Sequence, residues 1–250
     1  MAETGGAWAR LDRAFDEALG PARGAHGSKV VLFSGGVDSG LLAWELRATG
    51  AASLFTVGVA GADDLLRARE AAPLIGLPWA GRTLDDLALA AVEREVEPEL
   101  DGVDGPRRGI FVALAAACSE APAGLLVCGQ GADELFLGYA HFRGLTAEGA
   151  EARAATDLAV LQDLDWPRTL RIAGRWRRQL IAPYLHPEFV RAASEVPTRD
   201  RLPGALTKPF FRRWAAHRGL PEGIAERPKR ALQYGSGVDR WLRRRHRRAV

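Results

Sequence analysis

The sequence KVVLFSGGVDSGLLAWELRA, residues 29–48, determines what kind of fold this chain can adopt. Lys29 to Phe33 is a short β-branched and aromatic run, which predicts a buried strand. The hexapeptide SGGVDS, Ser34 to Ser39, follows as a tight glycine loop, and Gly40 to Ala48 has the pattern of a helix. A strand, a glycine loop and a helix in direct succession begin a βα unit.

The same alternation continues towards the carboxyl end. We predict further strands at 52–59, 77–82 and 123–128, and helices at 63–75, 84–96, 107–118 and from about residue 133. Repeated βα units with apolar strands predict an α/β fold, a doubly wound and mostly parallel sheet with helices on both faces. Ligands of such sheets bind at the carboxyl ends of the strands, where the glycine loops 34–36 and 129–131 fall.

The two ends of the chain have a different pattern. Apolar spacing predicts a leading helix at 7–19 that Gly20 and Pro21 end. From Ala147 onward we predict helices only, at 148–161, 167–180, 187–193, 207–217 and 238–246. We expect one domain over 1–250, divided into a leading helix (1–27), a nucleotide-binding βα core (28–146) and a helical layer with a basic tail (147–250).

The composition is that of a globular protein. Of 250 residues, 47% are hydrophobic and 26% charged, which excludes a disordered or fibrous chain. The longest apolar run, Ile110 to Cys118, is too short to cross a bilayer, and Met1 to Ala22 is too acidic for a secretory signal. We therefore expect a cytoplasmic protein with no membrane partner. Cys118 and Cys128 fit two buried thiols rather than a metal or redox pair.

Charge is distributed unevenly along the chain. Residues 1–200 hold 20 Lys and Arg against 28 Asp and Glu, whereas residues 201–250 hold 14 against 3. The arginine-rich tail 240–248 is either a solvated helix end or a surface that contacts RNA or an acidic partner. Only Lys29, Lys208 and Lys229 are lysines, so any one of them attracts notice.

The loop SGGVDS has the chemistry of a phosphate site. Its glycines let the backbone approach a ligand closely, and the amino end of the next helix offers unpaired N–H groups to an anion. Ser34 and Ser39 add hydroxyl donors, but Asp38 would repel a bare phosphate. A nucleotide with Mg²⁺ satisfies all these groups. The alternative interpretation is a structural turn between a strand and a helix.

This loop resembles the pyrophosphatase loop, SGG-x-D-S, of ATP enzymes that cleave between the α- and β-phosphates and release AMP. A second segment, CGQGADELFLGY (Cys128 to Tyr139), looks like the SGEG-(S/A)-DELFGGY segment of the asparagine synthetase family. A third, Arg227 to Val238, is similar to the R-x-K-x-x-x-x-x-G-x-G region of that family. The chain thus resembles the synthetase domain, an ATP pyrophosphatase (PP-loop) domain, without the family's glutaminase domain.

The resemblance implies ATP and Mg²⁺ as cofactors and a set of site residues. Asp38 and Asp133 would hold Mg²⁺ against the leaving pyrophosphate, and Lys229 would neutralise the charge that grows there. The implied catalytic residues are Lys229, Asp38 and Asp133. The implied contacts to ATP and pyrophosphate are Leu32, Ser34, Gly35, Gly36, Asp38, Ser39, Val57, Gly129, Gln130 and Lys229. As alternatives, Asp133 belongs to an acidic pair at a helix amino end, and Lys229 is an exposed surface lysine.

The chain departs from the family at several positions. Residue 2 is Ala2, where the family's glutaminase has its cysteine, so we expect nitrogen from ammonia, a substrate amine or a separate glutamine amidotransferase. Gln130 replaces a glutamate and cannot act as a base. In the segment LE-x-R-x-PFLD, the charged positions become Gln179, Ile181 and His186, which weakens the case for aspartate as the substrate.

We therefore predict an ATP-dependent ligase that adenylates a small carboxylate, aspartate or an analogue, and forms an amide with ammonia or an amine. Two alternatives remain at this stage. One is a PP-loop enzyme that modifies tRNA, with the arginine tail on the nucleic acid, although the long match to the amide-forming family disfavours it. The other is an ATP-binding subunit that needs a separate glutaminase partner.

Overall fold

The structure is a computed structural model that describes residues 2–103, 105–227 and 232–248. Within that part of the chain, one sheet contains parallel strands in the order β3-β2-β1-β4-β5. The strands are β1 (Lys29–Leu32), β2 (Ala52–Val59), β3 (Trp79–Leu84), β4 (Leu125–Val127) and β5 (Leu180–Ile181). The predicted parallel sheet is confirmed, and β2 has the predicted bounds.

The helices of the first half connect these strands. They are α1 (Ala2–Gly24), α2 (Val37–Leu46), α3 (Asp63–Ile75), α4 (Asp86–Glu95), α5 (Gly105–Glu120) and α6 (Ala132–Leu135). Short 3₁₀ turns follow α2, α4 and α6 at Arg47–Thr49, Glu97–Glu99 and Ala140–Phe142. A crossover that contains a helix joins each strand to the next in sequence, as parallel pairing requires.

The second half is mainly helical. Its helices are α7 (Ala147–Val160), α8 (Trp166–Arg175), α9 (Pro187–Ser194), α10 (Thr198–Arg201), α11 (Pro209–His217), α12 (Glu222–Ala225), α13 (Leu232–Gly235) and α14 (Val238–Arg248). A π-helical turn, Leu161–Asp165, joins α7 to α8, and a 3₁₀ turn, Pro183–Leu185, precedes α9.

The prediction of an all-helical second half is wrong at β5. The helix expected over 167–180 ends at Arg175, and Arg177 adopts a left-handed φ of 51° that ends the helical path. β5 then pairs with β4, with Leu126 N–H donating to Gln179 O at 2.9 Å and Cys128 N–H to Ile181 O at 3.0 Å. Two residues are too few to show the alternation by which strands are recognised in a sequence.

The leading helix is longer than predicted. It runs through Gly20 and Pro21 to Gly24. Proline lacks the N–H that would bond to the preceding turn and normally ends a helix. Here Leu19 and Ala22, on either side of Pro21, are fully buried in the core. Tertiary packing therefore outweighs the lost hydrogen bond.

Alternate strand residues face two separate cores. Val31, Leu54 and Val127 pack in one hydrophobic cluster, together with residues of α1, α2, α3, α9 and α11. Their sequence neighbours Val30, Phe55 and Leu126 pack in the other, with residues of α4, α5 and α14. Because the sheet is covered on both faces, the central strands β1, β2 and β4 are mostly apolar, and the predicted doubly wound arrangement is confirmed.

Strand order brings two loops together. β1 is hydrogen-bonded to β4, so the loops that follow Leu32 and Val127 leave the same edge of the sheet side by side. The site described below lies at this edge. Within the described residues, the helices are all too short or too polar to pass through a membrane.

Candidate active site

The loop after β1 turns sharply before α2 begins. Gly35 has a left-handed φ of 73°, and a Cβ atom there would lie 2.7 Å from the backbone of Arg67 in α3. Ser39 Oγ accepts a hydrogen bond from Ser34 N–H at 3.2 Å and lies 3.3 Å from Ser34 Oγ. Gly36 is the N-cap of α2, and no side chain caps that end. The amino end of α2 therefore has the form of an anion site.

The loop after β4 places a carboxylate opposite this end. Gly131, with φ 98°, leads into α6, whose first turn carries Asp133. The chain then folds back, and Gly138 N–H donates to Asp133 O at 2.8 Å. A Cβ atom on Gly138 would lie 1.9 Å from Asp133 Oδ1, so only glycine leaves room for this carboxylate. A Cβ atom on Gly129 would lie 3.1 Å from Asp38 Cβ, so the two loops approach each other closely at this glycine.

Lys208 joins the two predicted metal ligands. Its Nζ lies 2.5 Å from Asp38 Oδ1 and 2.7 Å from Asp133 Oδ1. The Lys208 side chain is fully buried, whereas the two carboxylates retain 18% and 19% exposure. Burial lowers the pKa of the Lys208 ammonium, and the adjacent Asp38 carboxylate opposes that shift. In the sequence, the scarcity of lysine is the one feature that distinguishes this residue.

Tyr184 supports the same corner from the second half of the chain. It lies in the 3₁₀ turn after β5, and its hydroxyl donates to Asp38 O at 2.8 Å. The ring is fully buried and stacks on Phe15 of α1. Burial raises the pKa of Tyr184, so its hydroxyl remains protonated and a donor. No local pattern in the sequence identifies Tyr184 as a residue of the site.

Two predicted ATP contacts, Leu32 and Val57, lie on adjacent strands. Leu32 is half-buried and ends β1, where it pairs with Phe55 of β2. Val57 is buried and lies two residues beyond Phe55 on β2. Between Phe55 and Val57, Thr56 donates from Oγ1 to Phe33 O at 2.5 Å. Leu32 and Val57 therefore lie near the carboxyl ends of β1 and β2, where the glycine loop also lies.

Gln130 and Glu134 occupy different surroundings beside Asp133. Gln130 is half-buried, and its Oε1 lies 3.6 Å from Cys128 Sγ. Glu134 is buried and accepts a hydrogen bond from Tyr139 Oη at 2.5 Å. Burial raises the pKa of Glu134, while the bond from Tyr139 partly offsets the shift. Glu134 is thus held by an internal partner.

The predicted catalytic Lys229 lies outside the described residues. The described residues on either side of it are anchored to α3 and β2. Arg227 Nη1 donates to Arg67 O at 2.9 Å, on α3. Beyond it, Val59 N–H donates to Ser236 O at 2.9 Å, at the carboxyl end of β2. Both anchors belong to the edge of the sheet at which the other predicted site residues meet.

The basic tail forms most of α14. Trp241 and Leu242 are buried in the core that also contains Val30 and Phe55, so the helix packs on the sheet by its apolar face. Arg243 donates to Asp239 at 2.8 Å, and Arg245 lies 3.7 Å from Glu93. These two arginines therefore have acidic partners within the chain.

The carboxylates fit the Mg²⁺ that the sequence suggested. Asp38 and Asp133 converge on one cation, the Lys208 ammonium, and carry one more negative charge than it neutralises. Mg²⁺ commonly binds one or two carboxylates together with substrate phosphates. No cluster of three or more His, Cys, Asp or Glu side chains that would hold a metal without such phosphates occurs in ranges 2–103, 105–227 and 232–248. Asp38 and Asp133 would hold the ion together with a nucleotide.

Comparison with known proteins shows the family to which this chain belongs. The family model described as asparagine synthase matches residues 10–181 and 151–250. The chain belongs to the asparagine synthase family. A relative from Methanocaldococcus jannaschii, "Putative asparagine synthetase (glutamine-hydrolyzing) 1", is 26% identical over 250 residues, covering 85% of this chain and 46% of the relative. The chain thus spans about half the length of that asparagine synthase relative.

Two solved structures are similar to this member of the asparagine synthase family. An NH₃-dependent NAD synthetase from Campylobacter jejuni is 16% identical, with a TM-score of 0.41, and the match covers 68% of this chain and 93% of that one. An NMN synthetase from Francisella tularensis is 13% identical, with a TM-score of 0.36, and the match covers 95% and 94%. At these TM-scores the likeness does not bear on the chemistry of this chain.

Proposed function

We propose that the chain is an ATP-dependent ligase that adenylates a substrate carboxylate and forms an amide from the product. The observation that carries this proposal is the meeting of Asp38 and Asp133 beside the uncapped amino end of α2. Membership of the asparagine synthase family supports the choice of reaction.

In the first step, a carboxylate oxygen of the substrate attacks the α-phosphorus of ATP. The bond from that phosphorus to the bridging oxygen breaks, pyrophosphate leaves with the electron pair, and an acyl-adenylate forms. The amino end of α2 would bind phosphate oxygens through its N–H groups, and Ser34 and Ser39 would add hydroxyl donors. Mg²⁺ bound to Asp38 and Asp133 would supply positive charge where pyrophosphate leaves.

In the second step, ammonia or an amine attacks the acyl carbon. The bond to the AMP oxygen breaks, AMP leaves, and the new nitrogen loses a proton. Gln130 occupies the position beside Cys128 but cannot accept that proton near neutral pH. Glu134 is not available either, because it accepts a hydrogen bond from Tyr139 in a buried position. We propose that phosphate oxygens of the leaving group or water take the proton.

The proposed nitrogen donor is free ammonia or an amine. The relative is named for glutamine hydrolysis, and this chain spans 46% of it. We propose that residues 1–250 use ammonia or an amine directly, and that a glutamine amidotransferase is the partner that supplies ammonia from glutamine. The acceptor carboxylate is aspartate or an analogue.

Product analysis tests the reaction. Purified protein is incubated with ATP, Mg²⁺ and ammonium, with or without L-aspartate and related carboxylates, and AMP, ADP and amide are quantified. We expect AMP that depends on the carboxylate, and Asp38→Asn should lower its rate by roughly 100-fold or more.

A matched control is Asp86→Asn, which alters an exposed carboxylate in the first turn of another helix, α4. Both variants remove one charge near a helix amino end, but only Asp38 lies at the candidate site. Equal rates of AMP formation in the two variants would contradict the proposed role of Asp38. ADP as the nucleotide product would contradict the reaction itself.

A further inference from the structure

The ammonium of Lys208 occupies the position between two carboxylates that a metal ion would share. We propose that Lys208 is an internal cation that holds Asp38 and Asp133 in the nucleotide-free protein, so that a divalent cation binds tightly only with the phosphates of a nucleotide. The inference rests on the proposed function, because both assign Asp38 and Asp133 as the carboxylates that hold the metal ion. It assigns Lys208 as a positioning residue that makes metal binding depend on the nucleotide.

The geometry shows that Lys208 is held in place. Nζ reaches both Oδ1 atoms, at 2.5 and 2.7 Å, from a fully buried side chain. The backbone of Lys208 is left-handed, with φ 58° and ψ 48°, directly before Pro209. This conformation is strained for a residue with a Cβ, so surrounding contacts must enforce it. Arg212 supplies one of them, since its N–H donates to Lys208 O at 3.0 Å.

The space around the ammonium leaves it little freedom. A Cβ atom on Gly138 would lie 2.7 Å from Lys208 Cε, and the ring centre of Phe211 lies 5.7 Å from Nζ. The end of the Lys208 side chain is therefore packed closely against Gly138, and its Nζ contacts the two carboxylates. An ion that arrives at those carboxylates meets the ammonium already there.

Charge balance makes metal binding depend on the nucleotide. Two carboxylates and one ammonium carry a net charge of −1, and a divalent cation alone would change this to +1 in a largely buried site. Two cations at short range repel strongly where water is scarce. The phosphates of a nucleotide at the amino end of α2 would add negative charge and give the ammonium another anionic partner. Metal and nucleotide should therefore bind together.

Manganese binding tests this directly. Free Mn²⁺ is measured by electron paramagnetic resonance during titration of the wild type, Lys208→Met and a control, Lys29→Met, with and without α,β-methylene-ATP. Lys29 is the other described lysine, buried at the start of β1, at the opposite end of the strand from the glycine loop. We expect wild type and Lys29→Met to bind Mn²⁺ tightly only with the nucleotide. Lys208→Met should bind it at least tenfold more tightly than wild type when no nucleotide is present.

The result that overturns the proposal is a Lys208→Met protein, folded by circular dichroism, whose nucleotide-free affinity for Mn²⁺ equals that of the wild type. Tight Mn²⁺ binding by the wild type without nucleotide would also overturn it. Neither readout requires turnover. A protein that shows the expected Mn²⁺ binding but makes no AMP would therefore refute the proposed function and leave this inference standing. A protein that makes AMP but lacks the expected Mn²⁺ binding would refute this inference and leave the proposed function standing.

A second measurement covers the case in which Lys208→Met does not fold. The sequence has three lysines, so wild-type protein labelled with ¹³C at lysine Cε gives few signals, which Lys→Arg variants at positions 29 and 229 assign. Mn²⁺ with α,β-methylene-ATP should broaden the Lys208 signal far more than that of Lys29, and Mn²⁺ alone should not. Broadening of Lys208 by Mn²⁺ alone at the same concentrations, or its absence in both cases, would refute the proposal.

Discussion

Replacing the first or the second glycine of the loop after β1 by alanine should have very different effects. Gly35 has φ 73°, a left-handed conformation that costs about 1–2 kcal/mol for alanine. Its new Cβ would also lie 2.7 Å from Arg67 C and O and 2.9 Å from Ala68 N, all backbone atoms of α3. Moving a packed helix to relieve such a contact typically costs about 1–3 kcal/mol. We expect Gly35→Ala to lower the free energy of unfolding by about 2–5 kcal/mol.

Gly36→Ala is the matched control, one residue away in the same loop. Gly36 has φ −89° and ψ 170°, which alanine adopts readily, and its Cβ would meet only Ser34 Oγ, at 3.4 Å. The reduced entropy of the unfolded chain favours alanine by about 0.4–1 kcal/mol, and its poorer N-cap character offsets this gain. We expect the stability to stay within about 1 kcal/mol of the wild type.

Urea unfolding followed by circular dichroism gives both free energies, and thermal unfolding gives an independent comparison. For a chain of this size, Gly35→Ala should lower Tm by roughly 5–15 °C. Both variants should also be titrated with α,β-methylene-ATP, because Gly36 lies where the phosphate is proposed to bind. If the two variants unfold at the same urea concentration, the backbone contact between Gly35 and α3 does not have the structural importance assigned to it.

Three further predictions concern groups around the site and in the core. Tyr184→Phe should destabilise the protein by about 1 kcal/mol by urea unfolding and raise KM for ATP, because the hydrogen bond to Asp38 O is lost; unchanged stability and KM would contradict this. Burial raises the pKa of Cys118 and Cys128 to about 12, so both thiols stay protonated at pH 8, and iodoacetamide should label them only after unfolding, as mass spectrometry would show; labelling of the folded protein at the rate of a free thiol would refute it. Gly138→Ala should abolish AMP formation, because the new Cβ would overlap the Asp133 carboxylate. A rate within threefold of the wild type would contradict this, since it would show that the Asp133 carboxylate has room to move.

The sheet could be predicted from the sequence because its strands carry strong local signals. The strand 52–59 and the helix 63–75 have the predicted bounds, since an apolar run and a clear helical period mark them. The β-branched and aromatic run Lys29 to Phe33 predicts β1, and the hexapeptide after it predicts the glycine loop. The edge strand β5 was not, because a two-residue strand exists only through its pairing with β4.

The candidate site was predictable as far as strand ends and motifs define it. Asp38 and Asp133 each follow a predicted strand in a recognisable motif, and the structure brings them to one point. Lys208 lies 170 positions from Asp38 along the chain, and a contact between residues so far apart leaves no local pattern in the sequence. The division of the chain into a core at 28–146 and a helical layer at 147–250 remains a prediction.

The missed residues share one property that bears on how the site is built. Tyr184 and Lys208 both come from the helical second half, and both reach Asp38, which lies in the loop after β1. The glycine loops can be recognised without that half, but the main-chain oxygen and the carboxylate of Asp38 both take their partners from it. The hydrogen bond to the backbone fixes the position of the loop, and the ammonium fixes the orientation of the Asp38 carboxylate. We therefore expect the amino-terminal βα units to supply the surface for a nucleotide, and the second half to set the orientation in which its carboxylates receive a metal ion.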